Sequence, residues 1–460
     1  HITPVPEVYP MNQSRRLRMS KLSLGLVAAL AAAPAFAQST SAGVGGLVTD
    51  NGGQPVAGAE VTITHVESGT VSRATTDAAG RYNARGLRVG GPYQITVTKA
   101  GSGTKTEDGV YLNLNQVNTV NAALGSDVAT LETVTAVGFA GGSEVFSANK
   151  MGTGTNVTRE LMDALPSANR NMQDYIRLDP RISQVSKADG AISAGGQNTR
   201  YNAIRIDGIG AGDPFGLESN NFPTERQPVS MDAIQEINID LANYDTTIFG
   251  GTGAVINAVT KSGTNQFSGT VYATYRDKDT IRKRLPGERN DFAGFNDETT
   301  YGATFGGPIV KDKLFFFGNY EKYTRTAPGL SLTDTAIGRG TVTNQNILDV
   351  IAAANAYGFD AGSLETPGDS KTEIEEYALK LDWNISEDHR AALRYNKMEQ
   401  SVMRFPGMAT TTVSLSSYWY AQPKSYETWM AELFSDWSDN FSTELTASYQ
   451  AYSALHATPS

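Results

Sequence analysis

The sequence predicts a mainly β chain assembled from several units, the last of them a long antiparallel wall of strands. Three observations predict it. Apolar and polar residues alternate with a period of 2 over much of the second half, the connections there are short and long by turns, and the 460 residues hold 46 glycines and no cysteine. Alternation puts one set of side chains on each face of a strand, and glycine serves the turns between strands. A chain of this length exceeds one ordinary domain. The absence of cysteine excludes a disulfide framework, a zinc ribbon and thiol chemistry. A formal net charge of −10 argues against a nucleic-acid partner, whose binding needs a basic stripe.

Residues 1–37 read as upstream residues and an export signal. Arg15, Arg16, Arg18 and Lys21 precede the small apolar run Leu22–Ala33, and Ala35-Phe36-Ala37 supplies an A-x-A site before Gln38. That pattern predicts cleavage between Ala37 and Gln38, with translation starting at Met11 or Met19. No other stretch approaches the roughly 20 apolar residues of a membrane helix, so any membrane insertion has to use strands.

Residues 38–125 read as a compact β-sandwich. Strands are expected at 46–49, 59–65, 72–76, 93–99 and 117–123, separated by the turn residues Asn51-Gly52-Gly53, Ala57-Gly58, Asp77–Gly80 and Gly90-Gly91-Pro92. Val61/Ile63 and Ile95/Val97 give each strand one buried face. The stretches Gly46–Asp50, Gln54–Val61 and Thr76–Tyr82 resemble the carboxypeptidase regulatory-like domain. The resemblance implies a transthyretin-like sandwich without catalysis. A carboxypeptidase zinc site needs His and Glu ligands at short spacing, and none of the four histidines (His1, His65, His389, His456) opens such a pattern. No catalytic group, metal or cofactor is expected anywhere in the chain.

Residues 126–155 read as a linker. Taken alone, Leu131–Gly138 is one β-prone octapeptide and suits an ordinary strand. On a tether between two globular units it resembles the TonB box of outer-membrane receptors. The resemblance implies that Glu132, Thr133, Val134, Thr135, Ala136 and Val137 add as a strand to the periplasmic protein TonB, through backbone hydrogen bonds that tolerate loose side-chain requirements.

Residues 156–265 read as a separate α+β unit. Short helices are expected at 159–165 and 170–178, each followed by a proline, and strands at 201–207, 234–240 and 254–260. Arg205-Ile206-Asp207-Gly208, Ala233–Glu236 and the run Gly250-Gly251-Thr252-Gly253 through Asn257 resemble the plug domain of TonB-dependent receptors. A glycine-rich turn could also cradle phosphate, but phosphate loops feed a helix and here the turn feeds a strand, so sharp backbone geometry is the expected role.

From residue 266 to 460 the alternation runs through seven expected strands, at 267–276, 300–307, 314–323, 374–385, 390–398, 426–437 and 441–452. Phe267, Val271, Ala273 and Tyr275 share one face and Ser268, Thr270, Thr274 and Arg276 the other; Tyr377/Leu379/Leu381/Trp383 oppose Glu376/Lys380/Asp382 in the same way. Short turns at 311–313, 386–389 and 438–440 alternate with long polar connections at 277–299, 323–371 and 400–425, as periplasmic turns and extracellular loops do in a transmembrane β-barrel. A soluble β-sandwich array shares the alternation; the units in front of the strands favour the barrel. The order as a whole is similar to TonB-dependent receptors of the Oar type (OmpA-related). Bacterial barrels have even strand counts, and a lumen that holds a plug needs about 22 strands, so these seven are expected to be the N-terminal part of a larger barrel. The resemblance implies binding of an extracellular ligand, coupling to TonB and residence in outer-membrane lipid. A structural or adhesive surface protein with a permanent closure is the alternative. The acidic pairs Glu375/Glu376 and Glu387/Asp388 suit acid–base work or a calcium loop in principle, and by default solvated or lumenal charge. Ile347, Val350, Ile351 and Ala354 form one apolar helix face expected to pack on its own loop.

Overall fold

The computed structural model describes residues 40–125, 153–165, 167, 169–186, 190–241, 251–280, 294–438 and 441–457. The expected cleavage site at Ala37 and Gln38, the segment Glu132–Val137 and Gly250 lie outside the described residues.

The first unit is a sandwich of two four-stranded sheets. Its strands are β1 (Ala42–Asp50), β2 (Glu60–His65), β3 (Thr70–Thr75), β4 (Arg81–Leu87), β5 (Gly90–Lys99), β6 (Gly103–Leu112), β7 (Val117–Thr119) and β8 (Ala122–Leu124). One sheet runs β3-β2-β5-β6; in the other, β1 pairs with β4 on one side and with β7 and β8, in parallel, on the other. Val61 faces Val97 and Ile63 faces Ile95 across β2 and β5, and these four pack with Val44, Val48, Tyr82, Tyr93 and Leu112. The turns work as the sequence suggests: Asp50 accepts from the amides of Gly52 and Gln54 at 2.8 and 2.9 Å, closing an Asx turn. A Cβ on Gly46 would sit 1.9 Å from the Val120 carbonyl oxygen, so only glycine lets β1 pass under the β7–β8 connection. Two strands were not foreseen. β4 has no clean alternation and includes Gly86 at φ 69°, and β6 is a polar edge strand whose only apolar residues are Val110, Tyr111 and Leu112.

The second unit is an α+β plug with a five-stranded sheet. Its strands are β9 (Thr153–Thr158), β10 (Ile182–Gln184), β11 (Ile192–Ala194), β12 (Ala203–Ile206), β13 (Ile209–Gly210), β14 (Ile234–Leu241) and β15 (Ala254–Thr260). The sheet order is β13-β12-β15-β14-β9, with β10 and β11 forming a separate hairpin. Every residue of β15 is buried, which fits a central strand covered on both faces. Helices Arg159–Ala164 and Met172–Ile176 are N-capped by the Thr158 and Asn171 side chains. β9 starts at Thr153, in the stretch expected to be linker.

The third unit is an antiparallel meander of long strands: β16 (Ser268–Asp277), β17 (Asp297–Val310), β18 (Leu314–Ala327), β19 (Ser370–Asn384), β20 (His389–Arg404), the two-residue β21 (Tyr420–Ala421), β22 (Lys424–Ser438) and β23 (Phe441–Ala454). Each long strand pairs with the next, and among the described residues β16 and β23 do not pair, so the wall is an open arc, a partial barrel. The alternation is inside out. Tyr377, Leu379 and Trp383 stand 40–51% exposed on the outer face of β19, while Glu376, Lys380 and Asp382 are buried on the concave face. A soluble sandwich has the opposite polarity. The strands outrun the expected ones by several residues, chiefly at the long-loop end, because ladder pairing continues where the apolar signal has faded (Thr372 still pairs with Val402).

Helix Asn344–Ala356 stands in the second long loop, closed by a capping box between Thr343 and Asn346. Of its expected apolar face Ile347 is buried and Ile351 and Ala354 are half-buried, whereas Val350 is 56% exposed, a correction to the expected packing at that position.

Candidate functional site

The concave face of the wall is a polar seat for the plug. Asp207, in the Arg205-Ile206-Asp207-Gly208 motif, has φ 46°, and its amide donates to the Ala258 carbonyl at 2.8 Å. Its carboxylate accepts from the amide and the hydroxyl of Thr260, both at 2.7 Å, and pairs with Arg394 of β20 at 3.0 Å. Lys380 of β19 donates to the Thr260 carbonyl at 3.2 Å. Asp207 and Arg394 are nearly sealed from solvent, so removal of either would strand the other charge. Arg205 turns back to donate to the Gly208 carbonyl at 2.7 Å, and the Gly208 amide donates to Asn257 at 3.1 Å. The motif therefore locks a tight turn to β15 and presents one carboxylate to the wall.

A second group of contacts surrounds Glu321 of β18. It accepts from Tyr272 at 2.6 Å and Ser230 at 3.1 Å, and it pairs with Arg226 at 3.3 Å. Arg170, at φ 50°, stacks over the Tyr272 ring and pairs with Asp232. Beside it, Glu376 accepts from Asn319 at 2.6 Å and Asn396 at 3.0 Å, and Asn396 also donates to the Pro228 carbonyl at 3.1 Å. Glu376 is thus a seat residue, and Glu375 accepts from Tyr320 on the outer side. Toward the long loops, Glu218 of the plug pairs with Lys424 and Arg404, and Glu225 with Arg404.

Of the remaining motif residues, Gly251 has φ 83°, and a Cβ on it would lie 2.6 Å from Val255 Cγ2. A Cβ on Gly253 would meet Asn202 Oδ1 at 2.5 Å, the same oxygen that accepts from the Ala254 amide at 3.0 Å. Both glycines serve a sharp entry into β15. Sequence reasoning missed Arg394, Glu321, Tyr272 and Arg226. For the three wall residues the available signal was parity, a charged or hydroxylated residue in step with the inward set of its strand; Arg226 lies in a plug loop and carries no such signal.

Several titrating groups outside the wall are displaced, among them three near its short-turn end or the plug helices. Burial, with Arg88 and Arg390 adding to it, pushes His65 down to about 3. Burial beside Arg159 lowers the Lys261 ammonium to about 8. The hydrogen bond from Arg159 holds the Asp163 carboxyl below the usual carboxylate range.

Residues 43–125 match the carboxypeptidase regulatory-like domain and residues 259–338 an outer membrane β-barrel domain. The TonB-dependent transporter Oar of Myxococcus xanthus is 28% identical over 383 residues, 79% of this chain and 34% of that protein. A probable TonB-dependent siderophore receptor, PirA of Acinetobacter baumannii, is 28% identical over 217 residues, 42% of this chain and 26% of that protein. Among solved structures, PirA of A. baumannii aligns over 65% of this chain and 39% of its own at TM-score 0.44 and 16% identity. The ferripyoverdine receptor of Pseudomonas aeruginosa aligns over 76% and 44% at TM-score 0.41 and 13% identity. The chain thus spans about a third or less of the curated relatives it matches. With a regulatory-like sandwich, a plug and a partial barrel in that order, the chain is homologous to part of the TonB-dependent transporter Oar and carries an outer-membrane β-barrel domain.

Proposed function

We propose that the chain is the N-terminal part of a receptor that binds an extracellular ligand at its long-loop end and moves it inward with work delivered by TonB. One observation carries the reading: a plug held by buried ion pairs in the concave face of a wall whose outer face is apolar. The outward band of Val271, Tyr275, Leu379, Trp383, Leu445 and Tyr449 suits outer-membrane lipid. The outer membrane has no energy source of its own, so displacing a plug seated by Asp207–Arg394 and Arg226–Glu321 requires force through a tether. Glu132–Val137 would be the handle, added as a strand to TonB. Ala37 and Gln38 would flank the cleavage that frees the exported chain.

Deletion of Leu131–Gly138 from the full-length protein tests the reading. Immobilised periplasmic domain of TonB is expected to retain the unaltered receptor and to lose the deletion variant, and energised uptake is expected to stop. Equal retention and unchanged uptake would instead leave a structural or adhesive protein whose plug is a permanent closure.

A further inference from the structure

The sandwich touches the rest of the chain through two faces. One lies on the short-turn end of the wall. Asn384 donates to the Thr70 hydroxyl at 2.9 Å, Arg390 donates to the Gly86 carbonyl at 2.8 Å, and Arg73 pairs with Glu387 at 2.9 Å. The other face reaches the plug: Gln116 donates to Asn156 Oδ1 at 2.9 Å, Asn156 donates to the Leu114 carbonyl at 3.2 Å, and the Leu114 amide donates to Glu236 at 2.9 Å.

Asn156 sits in β9, and β9 is a special strand. Among the described residues it is the outermost strand of the plug sheet, paired with β14 alone, and it is the first described strand after residue 125 of the sandwich. Tension on the tether meets the Thr153–Leu241 pair first and would open the β9–β14 ladder one pair at a time. The contacts at Asn156, three residues in, would oppose that unzipping.

The docked surface is polar and ionic. Arg88 is buried over the Phe315 ring, with Nη1 at 3.5 Å from the Gly263 carbonyl and with Nε and Nη2 lacking a hydrogen-bond partner among the described residues. It lines a polar cavity of about 80 Å³ with His65, Lys380, Asp382, Arg390 and Glu432, where sandwich, plug and wall meet. Polar contacts of this kind mark interfaces that separate, in contrast to the apolar contacts of permanent ones.

We infer that the N-terminal sandwich is a latch: docked, it covers the short-turn mouth of the wall and pins β9, and it has to leave before tension can peel β9 from β14. The inference rests on the TonB-coupled reading above. Its test needs no TonB, so the two fail separately.

The measurement is amide hydrogen exchange at Thr155 and Val157 in the full-length receptor in outer-membrane vesicles. Arg88→Glu sets a like charge against Asp382 and is expected to speed exchange at both amides by about tenfold or more, with β15 unchanged. If that variant does not assemble, Gln116→Ala carries the same reading with an increase of about threefold. In the opposite direction, Thr70→Cys with Asn384→Cys, joined by a short thiol cross-linker in a sequence that has no cysteine of its own, is expected to slow both amides. Unchanged exchange at Thr155 and Val157 in the loosened and the cross-linked proteins would overturn the latch.

Discussion

The sandwich and the wall obey the same period of 2 with opposite polarity. In β2 and β5 the inward set is Val61, Ile63, Ile95 and Val97; in β19 and β20 it includes Glu376, Lys380, Asp382 and Arg394, with Tyr377, Leu379, Trp383 and Leu393 turned out. Alternation therefore reports a two-faced strand and nothing about which face is wet. What lies against each face decides: a second apolar sheet in the sandwich, and a hydrogen-bonding plug within the wall.

That contrast can be broken most severely at the seat. Arg394→Leu puts into the wall the kind of side chain the sandwich core welcomes, and it leaves the buried Asp207 carboxylate without its cation. A loss of about 3–5 kcal/mol is expected in chemical denaturation of the full-length receptor. A loss within about 0.5 kcal/mol would mean that the concave face accepts apolar side chains as the sandwich does. On the outer face, Leu379→Lys should cost about 2–4 kcal/mol in lipid, because a lysine near the bilayer midplane loses hydration. A water-facing strand would tolerate it within about 0.5 kcal/mol, and that outcome would remove the membrane reading of the wall.

An effect absent at neutral pH sharpens the comparison at the boundary between the two units. His65 faces Arg88, Glu67, the Ser68 hydroxyl and the Tyr93 ring within the sandwich, and Arg390 across the docked surface. Its folded value of about 3 lies below the ordinary 6.5, so between these values the unfolded chain binds the extra proton. Stability from this group is therefore complete above pH 6.5, falls as the pH drops through the window, and levels off below about 3. His65→Gln should flatten that part of a pH series of thermal melts. A slope unchanged by the substitution would show that the loss comes from other groups.

Much of the fold was legible because local pattern and tertiary role agree. β15 runs over 254–260 as its apolar run suggests, and the seven long strands fall where the alternation places them. β4 and β6 escaped because edge and bulged strands need no apolar face, and the wall strands were read short because ladder bonds, which carry no side-chain signature, extend them. At the candidate site, the Arg205–Gly208 motif was visible as a turn. Its carboxylate partner was not, since Arg394 lies far away in sequence and only the register of β20 brings it to Asp207.

By itself the sequence determined the long strands of the wall, most of the sandwich strands, their two faces and the order of the units, since these depend on neighbours within a few residues. Only the tertiary structure decided which charges become counter-ions, and that the sandwich sits against the short-turn end with a loop on Asn156. Those pairings arise between segments far apart in the chain, where the burial of one charge acquires meaning from the geometry that delivers the other.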